Sequence, residues 1–397
     1  MPIRHRSGHP KDIWHPVTVH TLYPAPARPL ELGFLSPHNP HDRRSFSGTT
    51  YFAARALEHR AGIRLRILGP HRPPRTLDRL LRRQKPEVEV AQLNAHGLDA
   101  VLGLVASPLL DQLMTEQPHL PAFHVTDATP AFLREAYGWK VPDEADAVET
   151  RVAARAARVI YSSHQIADRA AADLALSDLD ATSAPFGVNF DHLPETCPRK
   201  PRFDRLNLLF VGLDWVRKGG DIAVATLDTL LSRGIDAHLT IVGRCPEAHR
   251  SHPHITYAGY LNKNRPRDAR RLATLYSKTH VFLLPSRADC TPMVVTEAMA
   301  HGTPVLASDT GGIAMQIGGR GTGRVMAPFA APHDWADTIS EITADRAAYE
   351  FMSDAAFERA QRHLSWTNWA EAVEGTIRTA LAPATVAGRD LKVALPV

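Results

Sequence analysis

Two short stretches bring together residue types that can hold phosphate and hydroxyl groups. The first is Gly212-Leu213-Asp214-Trp215-Val216-Arg217-Lys218-Gly219-Gly220-Asp221, which follows an apolar run and opens a helix at about Gly219. A glycine-bearing turn of this kind exposes backbone N–H groups at the positive end of a helix dipole, where phosphate is favoured. Arg217 and Lys218 add cations that can make charge-assisted contacts to the same oxygens. The order is not G-x-x-x-x-G-K-S/T, so a P-loop is excluded, and a solvated basic turn is the competing reading of this stretch alone. The second stretch, Pro285 to Pro304, holds Asp289 and Glu297 with seven residues between them. Asp289 falls in a loop after an apolar strand, and Glu297 falls on the helix that starts near Thr291 or Pro292. Ionised carboxylates are good acceptors for neutral hydroxyls, although a helix-capping Asp and a surface Glu fit the same spacing. Ser308-Asp309-Thr310-Gly311-Gly312 offers further backbone donors at a third turn.

Such turns need a scaffold that presents several loops at one sheet edge. Leu30 to Leu35 is a short apolar run ended by Ser36-Pro37, and Tyr51 to His59 carries apolar residues at helical spacing. Strand patterns recur at Ile63 to Leu68, Ala100 to Val105, Ala122 to Val125 and Val159 to Ser162, with helix-compatible stretches between. The pattern restarts at Leu208 to Gly212 and continues at Leu239 to Gly243, Ile255 to Tyr260, His280 to Leu284 and Pro304 to Ala307. Strands alternating with helices predict an α/β chain of two doubly wound Rossmann-like domains facing a cleft, with C-terminal helices. Between the halves, Pro194-Glu195-Thr196-Cys197-Pro198-Arg199-Lys200-Pro201 carries three prolines and reads as a linker. The boundaries are an extension over 1–29, a first domain over 30–193, the linker over 194–205 and a second domain over 206–365. Residues 366–397 form a last helix that crosses back to the first domain, and a tail; the C-terminus is expected to be helical from roughly Trp335 to Leu381. Doubly wound sheets bind ligands at the carboxyl ends of their strands, which is where both motif stretches fall.

Composition removes other classes. The 397 residues hold 46 Lys+Arg and 42 Asp+Glu, a net charge of +4, far short of the concentrated positive charge of a nucleic-acid binder. Hydrophobic residues at 44% and charged residues at 22% are those of a globular chain rather than a disordered one. Cys197, Cys245 and Cys290 have neither metal-type spacing nor the number for a disulfide framework, which suits a reducing, cytoplasmic setting. No apolar run is long enough to span a bilayer, and the first 29 residues lack the apolar core of a secretory signal.

Gly212 to Gly220, Asp289-x7-Glu297 and the block Glu297 to Gly312 together resemble the retaining family-4 glycosyltransferases (glycosyl transferases group 1) of the GT-B fold. Pro185-Phe186-Gly187-Val188-Asn189 is similar to that family's segment before the linker, and the likeness runs from about Leu30 to Leu381. The resemblance implies transfer of a sugar from a nucleotide-diphosphate donor held by the second domain to an acceptor held by the first. It makes Lys218 the lysine on the diphosphate, Glu297 the ribose ligand and Asp289 the contact to donor-sugar hydroxyls. The stretch Cys290, Thr291, Pro292, Met293 and Val294, at the loop and helix start, would face the sugar and phosphate with its backbone, with Gly243 among the donor-binding positions. Ser47-Gly48-Thr49 looks like the first domain's glycine loop. No metal or other cofactor is implied, because Lys218 and Arg217 can oppose the diphosphate charge. Two departures stand out: Leu213 occupies the place of a family arginine, for which Arg217 is the expected substitute, and Asp289 replaces a glutamate.

In Phe123-His124-Val125-Thr126-Asp127-Ala128-Thr129, Asp127 is the better cleft candidate and a third expected catalytic group beside Asp289 and Lys218, with helix capping as its alternative. His124, within the strand, reads as a core histidine. His71 to Lys85 carries six Lys or Arg and one Asp, a pattern for either a solvated helix face or peripheral contact with an inner membrane face through 72–85. His249, His252 and His254 cluster without a completing Cys or carboxylate, so they read as a surface loop rather than zinc ligands. The expected activity is retaining glycosyl transfer to a glycan, lipid-linked or small-molecule hydroxyl. A non-catalytic sugar-nucleotide binder, or another enzyme of this fold such as an epimerase or phosphorylase, remains the alternative.

Overall fold

A computed structural model describes residues 28–69 and 93–382. The basic stretch 71–85, most of the extension and the tail lie outside the described residues. Among the described residues, twelve strands form two parallel six-stranded sheets. The first sheet contains β1 (Leu30–Leu35), β2 (Ile63–Leu68), β3 (Ala100–Leu104), β4 (Ala122–Thr126), β5 (Arg158–Tyr161) and β6 (Ala181–Ser183), in the order β2-β1-β3-β4-β5-β6. The second contains β7 (Leu206–Gly212), β8 (Ala237–Gly243), β9 (Ile255–Gly259), β10 (Val281–Leu284), β11 (Val305–Ser308) and β12 (Gly323–Met326), in the order β12-β11-β10-β7-β8-β9. β3, β4 and β10 are buried along their whole length, as strands covered on both faces must be, and this is why β3 and β10 read as unbroken apolar runs. Strand order reverses beside β1 and beside β7, and a crevice opens above the strand ends at each reversal.

Two edge strands, β6 and β12, escape the sequence pattern because they are short, and Thr182, Ser183 and Arg324 interrupt any apolar run. The helical stretch expected over Trp335 to Leu381 is three helices, Pro332–Thr343, Arg346–His363 and Trp366–Leu381. Asp345 and Ser365 break it, each accepting an N–H from the first turn of the helix that follows.

The last helix packs against the first sheet. Trp366, Trp369, Val373 and Ile377 share one apolar cluster with Leu30, Leu32, Phe34 and Phe186, and Trp366 stacks on Phe186 at 5.7 Å. Asn189 ties this helix to the glycine loop: its Oδ1 accepts from Trp366 Nε1 at 2.9 Å, and its Nδ2 donates to the Ser47 carbonyl at 3.0 Å. The linker is anchored to the second domain by Lys200, whose buried ammonium donates to the carbonyls of Tyr276, Ser277 and His301 and to Thr303. Burial with no carboxylate partner lowers its pKa to about 7. No helix among the described residues is long and apolar enough to cross a membrane.

Candidate functional site

A cavity of about 390 Å³ lies between the two sheets, lined by the carboxyl ends of β7 and β8 and the loop and helix after β10 on one side and by first-domain loops on the other. Its centre is the turn after β7. Gly219 takes φ 74 there, and a Cβ on it would collide with the Pro285 carbonyl, so the turn can lie against the loop after β10 only with glycine. That close approach brings the two motif stretches together. Lys218 Nζ donates to Asp289 Oδ2 at 2.5 Å, Ser286 Oγ donates to the same oxygen at 2.9 Å, and Arg217 Nη1 stands 3.5 Å from Oδ1. Arg217 also donates to the Ala288 carbonyl at 2.9 Å. The shorter side chain of Asp289 is therefore the counter-ion of both cations, and Oδ1 keeps acceptor capacity toward the cavity. Arg287 fixes the turn from outside, pairing with Asp221 at 2.7 Å. Leu213 is 53% exposed and lines the cavity with no charge to offer.

Glu297, on the helix Met293–Met299, is 1% exposed and is held by Lys263 Nζ at 2.7 Å and the Tyr276 hydroxyl at 3.1 Å. The Lys263 ammonium also reaches the carbonyls of Ser47 (3.3 Å) and Asn189 (3.4 Å), so one side chain of the second domain touches the glycine loop of the first. Gly243 ends β8 at φ 113, where a Cβ would strike the Gly212 carbonyl; its own carbonyl accepts from Tyr257 at 3.1 Å. Thr291, Pro292, Met293 and Val294 line the cavity, and Thr291 bonds Ser162 across the domains at 2.6 Å.

Two expected donor contacts need correction. Cys290 does not line the cavity: its N–H donates to the Tyr137 hydroxyl at 2.7 Å, and its thiol is buried among Phe132, Tyr161 and Ile166, which raises its pKa. Gly48 is buried behind its neighbours, and it is Ser47 and Thr49 that line the cavity.

On the first-domain side, Asp127 lines the cavity at the exit of β4. The cap of the next helix is Thr129, which accepts from Phe132, so Asp127 is not the helix cap. Burial, reinforced by the neighbouring Asp289 charge, raises the Asp127 pKa to about 6. His124 is fully buried, with Nε2 2.9 Å from Glu149, and belongs to the core. His249 stacks on Trp215 and His252 pairs with Asp228 at 3.2 Å. Among the described residues no group of three His, Cys, Asp or Glu could hold a metal ion.

Sequence reasoning missed Lys263, Tyr137 and Trp139. Lys263 follows β9 and could have been found by the rule that loops at strand exits carry function. Tyr137 and Trp139 flank Gly138, the left-handed C-cap of the helix Pro130–Tyr137, which marks only a helix end. Arg43 and Arg44 also reach the cavity, each already paired, with Asp191 at 3.0 Å and Asp42 at 2.6 Å.

Residues 205–345 match a family model described as glycosyl transferases group 1. The D-inositol 3-phosphate glycosyltransferase of Paenarthrobacter aurescens strain TC1 is 27% identical over 318 residues, 74% of this chain and 77% of that protein. Among solved structures, a sucrose-phosphate synthase from Thermosynechococcus elongatus superposes with a TM-score of 0.66 at 19% identity, covering 88% of this chain and 98% of that one. Anabaena Alr3699/HepE in complex with UDP-glucose superposes with a TM-score of 0.62 at 14% identity, covering 88% and 100%. These structures share the two-domain GT-B fold.

Proposed function

The chain is a group 1 glycosyltransferase of the GT-B fold, and from that premise we propose that it moves a sugar from a nucleotide-diphosphate donor to a hydroxyl acceptor with retention at the anomeric carbon. The observation that carries the proposal is the cluster of Lys218, Arg217 and Asp289 at the carboxyl ends of β7 and β10. In the reaction the bond between the anomeric carbon and the β-phosphate oxygen breaks, and a bond to the acceptor oxygen forms on the same face. The acceptor proton passes to the departing phosphate oxygen. Negative charge grows on that phosphate, and Lys218 and Arg217, pre-aimed by Asp289, oppose it without reorganising. Glu297 takes the ribose, Asp289 Oδ1 takes a sugar hydroxyl, and Asp127 faces the acceptor side. Domain closure removes water from the activated sugar.

The acceptor class stays broad in this proposal: a glycan, a lipid-linked sugar or a small polyol. The cysteine content is the reason for placing the reaction in the cytoplasm. A non-catalytic sugar-nucleotide binder is favoured only by Leu213 and Asp289, and Asp289 is paired with both cations while its Oδ1 keeps acceptor capacity for a sugar hydroxyl. A nucleotide-sugar panel beginning with UDP-glucose tests the proposal. One donor should raise the melting temperature and release its nucleoside diphosphate slowly, and Lys218→Ala should lose that release by at least about a hundredfold. Binding without any turnover, with acceptor sugars present, would favour the non-catalytic reading.

A further inference from the structure

Tyr137 lies in none of the motif stretches, yet it meets three parts of the candidate donor site. Its hydroxyl accepts the Cys290 N–H across the cleft at 2.7 Å. Its ring carries the Arg217 guanidinium, 5.0 Å from the ring centroid. Trp139, 52% exposed, packs against it at 4.8 Å and an angle of 59°, and both aromatic rings line the cavity. Asp127 from the first domain and Asp289 from the second both bear on the phenol, and with burial they hold its pKa well above the ordinary 10. The group is therefore a neutral O–H.

A phenol oxygen that accepts one N–H keeps its own proton to donate. Among the described residues, no acceptor takes that proton. The Cys290 amide, which the family pattern would aim at the sugar, is capped, and the polar hydrogen offered in its place stands one hydrogen-bond length, 2.7 Å, away from the loop.

We propose that Tyr137 relays the Cys290 amide onto the transferred sugar: its oxygen accepts from Cys290, and its O–H donates to a hydroxyl of the donor hexose. The inference rests on the nucleotide-sugar reading above. It makes the first domain a direct ligand of the donor's sugar. Because the donor hydrogen comes from one domain and its support from the other, this contact exists only when the domains are together. A nucleoside diphosphate alone makes no use of it. A sugar lacking the matching hydroxyl leaves a polar hydrogen unpaired and is selected against.

Calorimetric titration of the full chain with UDP and with UDP-sugars, beginning with UDP-glucose, tests this. The readout is the factor by which the sugar improves binding over UDP. Tyr137→Phe keeps the ring under Arg217, so UDP affinity should stay within about twofold of wild type while the sugar factor falls about tenfold. Tyr137→Ala removes the ring as well and should weaken UDP itself. A deoxy-sugar donor lacking the contacted hydroxyl should bind wild type and Tyr137→Phe alike. An unchanged sugar factor in Tyr137→Phe, with its melting temperature preserved, overturns the relay. Failure of the wild-type chain to bind any nucleotide or nucleotide-sugar overturns the donor-site reading itself, a different result from the first.

Discussion

At the Glu297 end of the cleft the domains meet through Lys263, whose ammonium touches a buried carboxylate and two first-domain carbonyls. At the Asp289 end they meet through Tyr137, an uncharged group that touches an amide and a guanidinium. The first junction is electrostatic: its strength depends on the charge of Glu297, and an incoming ribose must share that carboxylate with Lys263. The second is directional: a neutral hydroxyl holds the Cys290 amide and a ring face lies against Arg217, neither competing for the charge that Arg217 and Lys218 offer a diphosphate. A site that binds an anion is better closed with a neutral contact near the anion, since a carboxylate there would repel it and a further cation would repel the two already present.

This contrast can be broken one side at a time. The largest effect is expected from Asp289→Ala, which leaves Lys218 and Arg217 without their common counter-ion; kcat/KM for the donor should fall by at least about a hundredfold in a steady-state release assay. Near-wild-type turnover would mean that the cations need no fixed partner. Next, Lys263→Met should raise the donor KM by about tenfold with kcat nearly unchanged, because Glu297 loses its counter-ion while the phosphate end stays intact. A fall in kcat at constant KM would instead move Lys263 into the chemistry. A smaller change is expected at Asn264, which accepts from the Arg43 N–H at 3.0 Å and donates to Asp42 at 2.5 Å. Asn264→Ala should raise the donor KM about threefold and increase the radius of gyration of the unliganded chain in solution scattering.

The smallest effect concerns pH. The folded-state pKa of Asp127, about 6, lies above its ordinary 3.8, so folding favours the protonated form and the wild type loses stability as pH rises through 6. Asp127→Asn cannot ionise. Its melting temperature should exceed that of wild type by a few degrees at pH 8 and converge with it below pH 3.8. Equal melting temperatures at pH 8 would show that Asp127 is solvated in the native state.

The parts of the molecule that were legible in the sequence share one property: their function is written in consecutive residues. Val281 to Leu284 is buried on both faces, so its apolar run survives in the sequence, and the turn Gly212 to Gly220 carries its glycines and cations together. Lys263 and Tyr137 act on partners 34 and 153 positions away, Glu297 and Cys290, and nothing local marks either residue. Asp127 shows an intermediate case. Its place at a strand exit left capping and cleft roles equally open, and the choice was decided by Thr129, a second capping residue two positions on. The amide of Cys290 was misassigned for the same reason Tyr137 was missed: the hydrogen bond that occupies it comes from another domain.

The helix Trp366–Leu381 has a consequence for the order of assembly. It completes the core of the domain that leaves the ribosome first, and it is the last described segment of the chain to be made: Arg60 waits for Glu374, 314 positions later. At about 5–20 residues per second, the first sheet spends roughly ten to forty seconds with Phe34, Phe52 and Phe186 lacking their last partners. The second sheet, whose strands are all synthesised before that helix, can form within this interval. The newborn first domain is thus an apolar surface held open until its own far end arrives, and a chain cut before Trp366 would keep that surface exposed permanently.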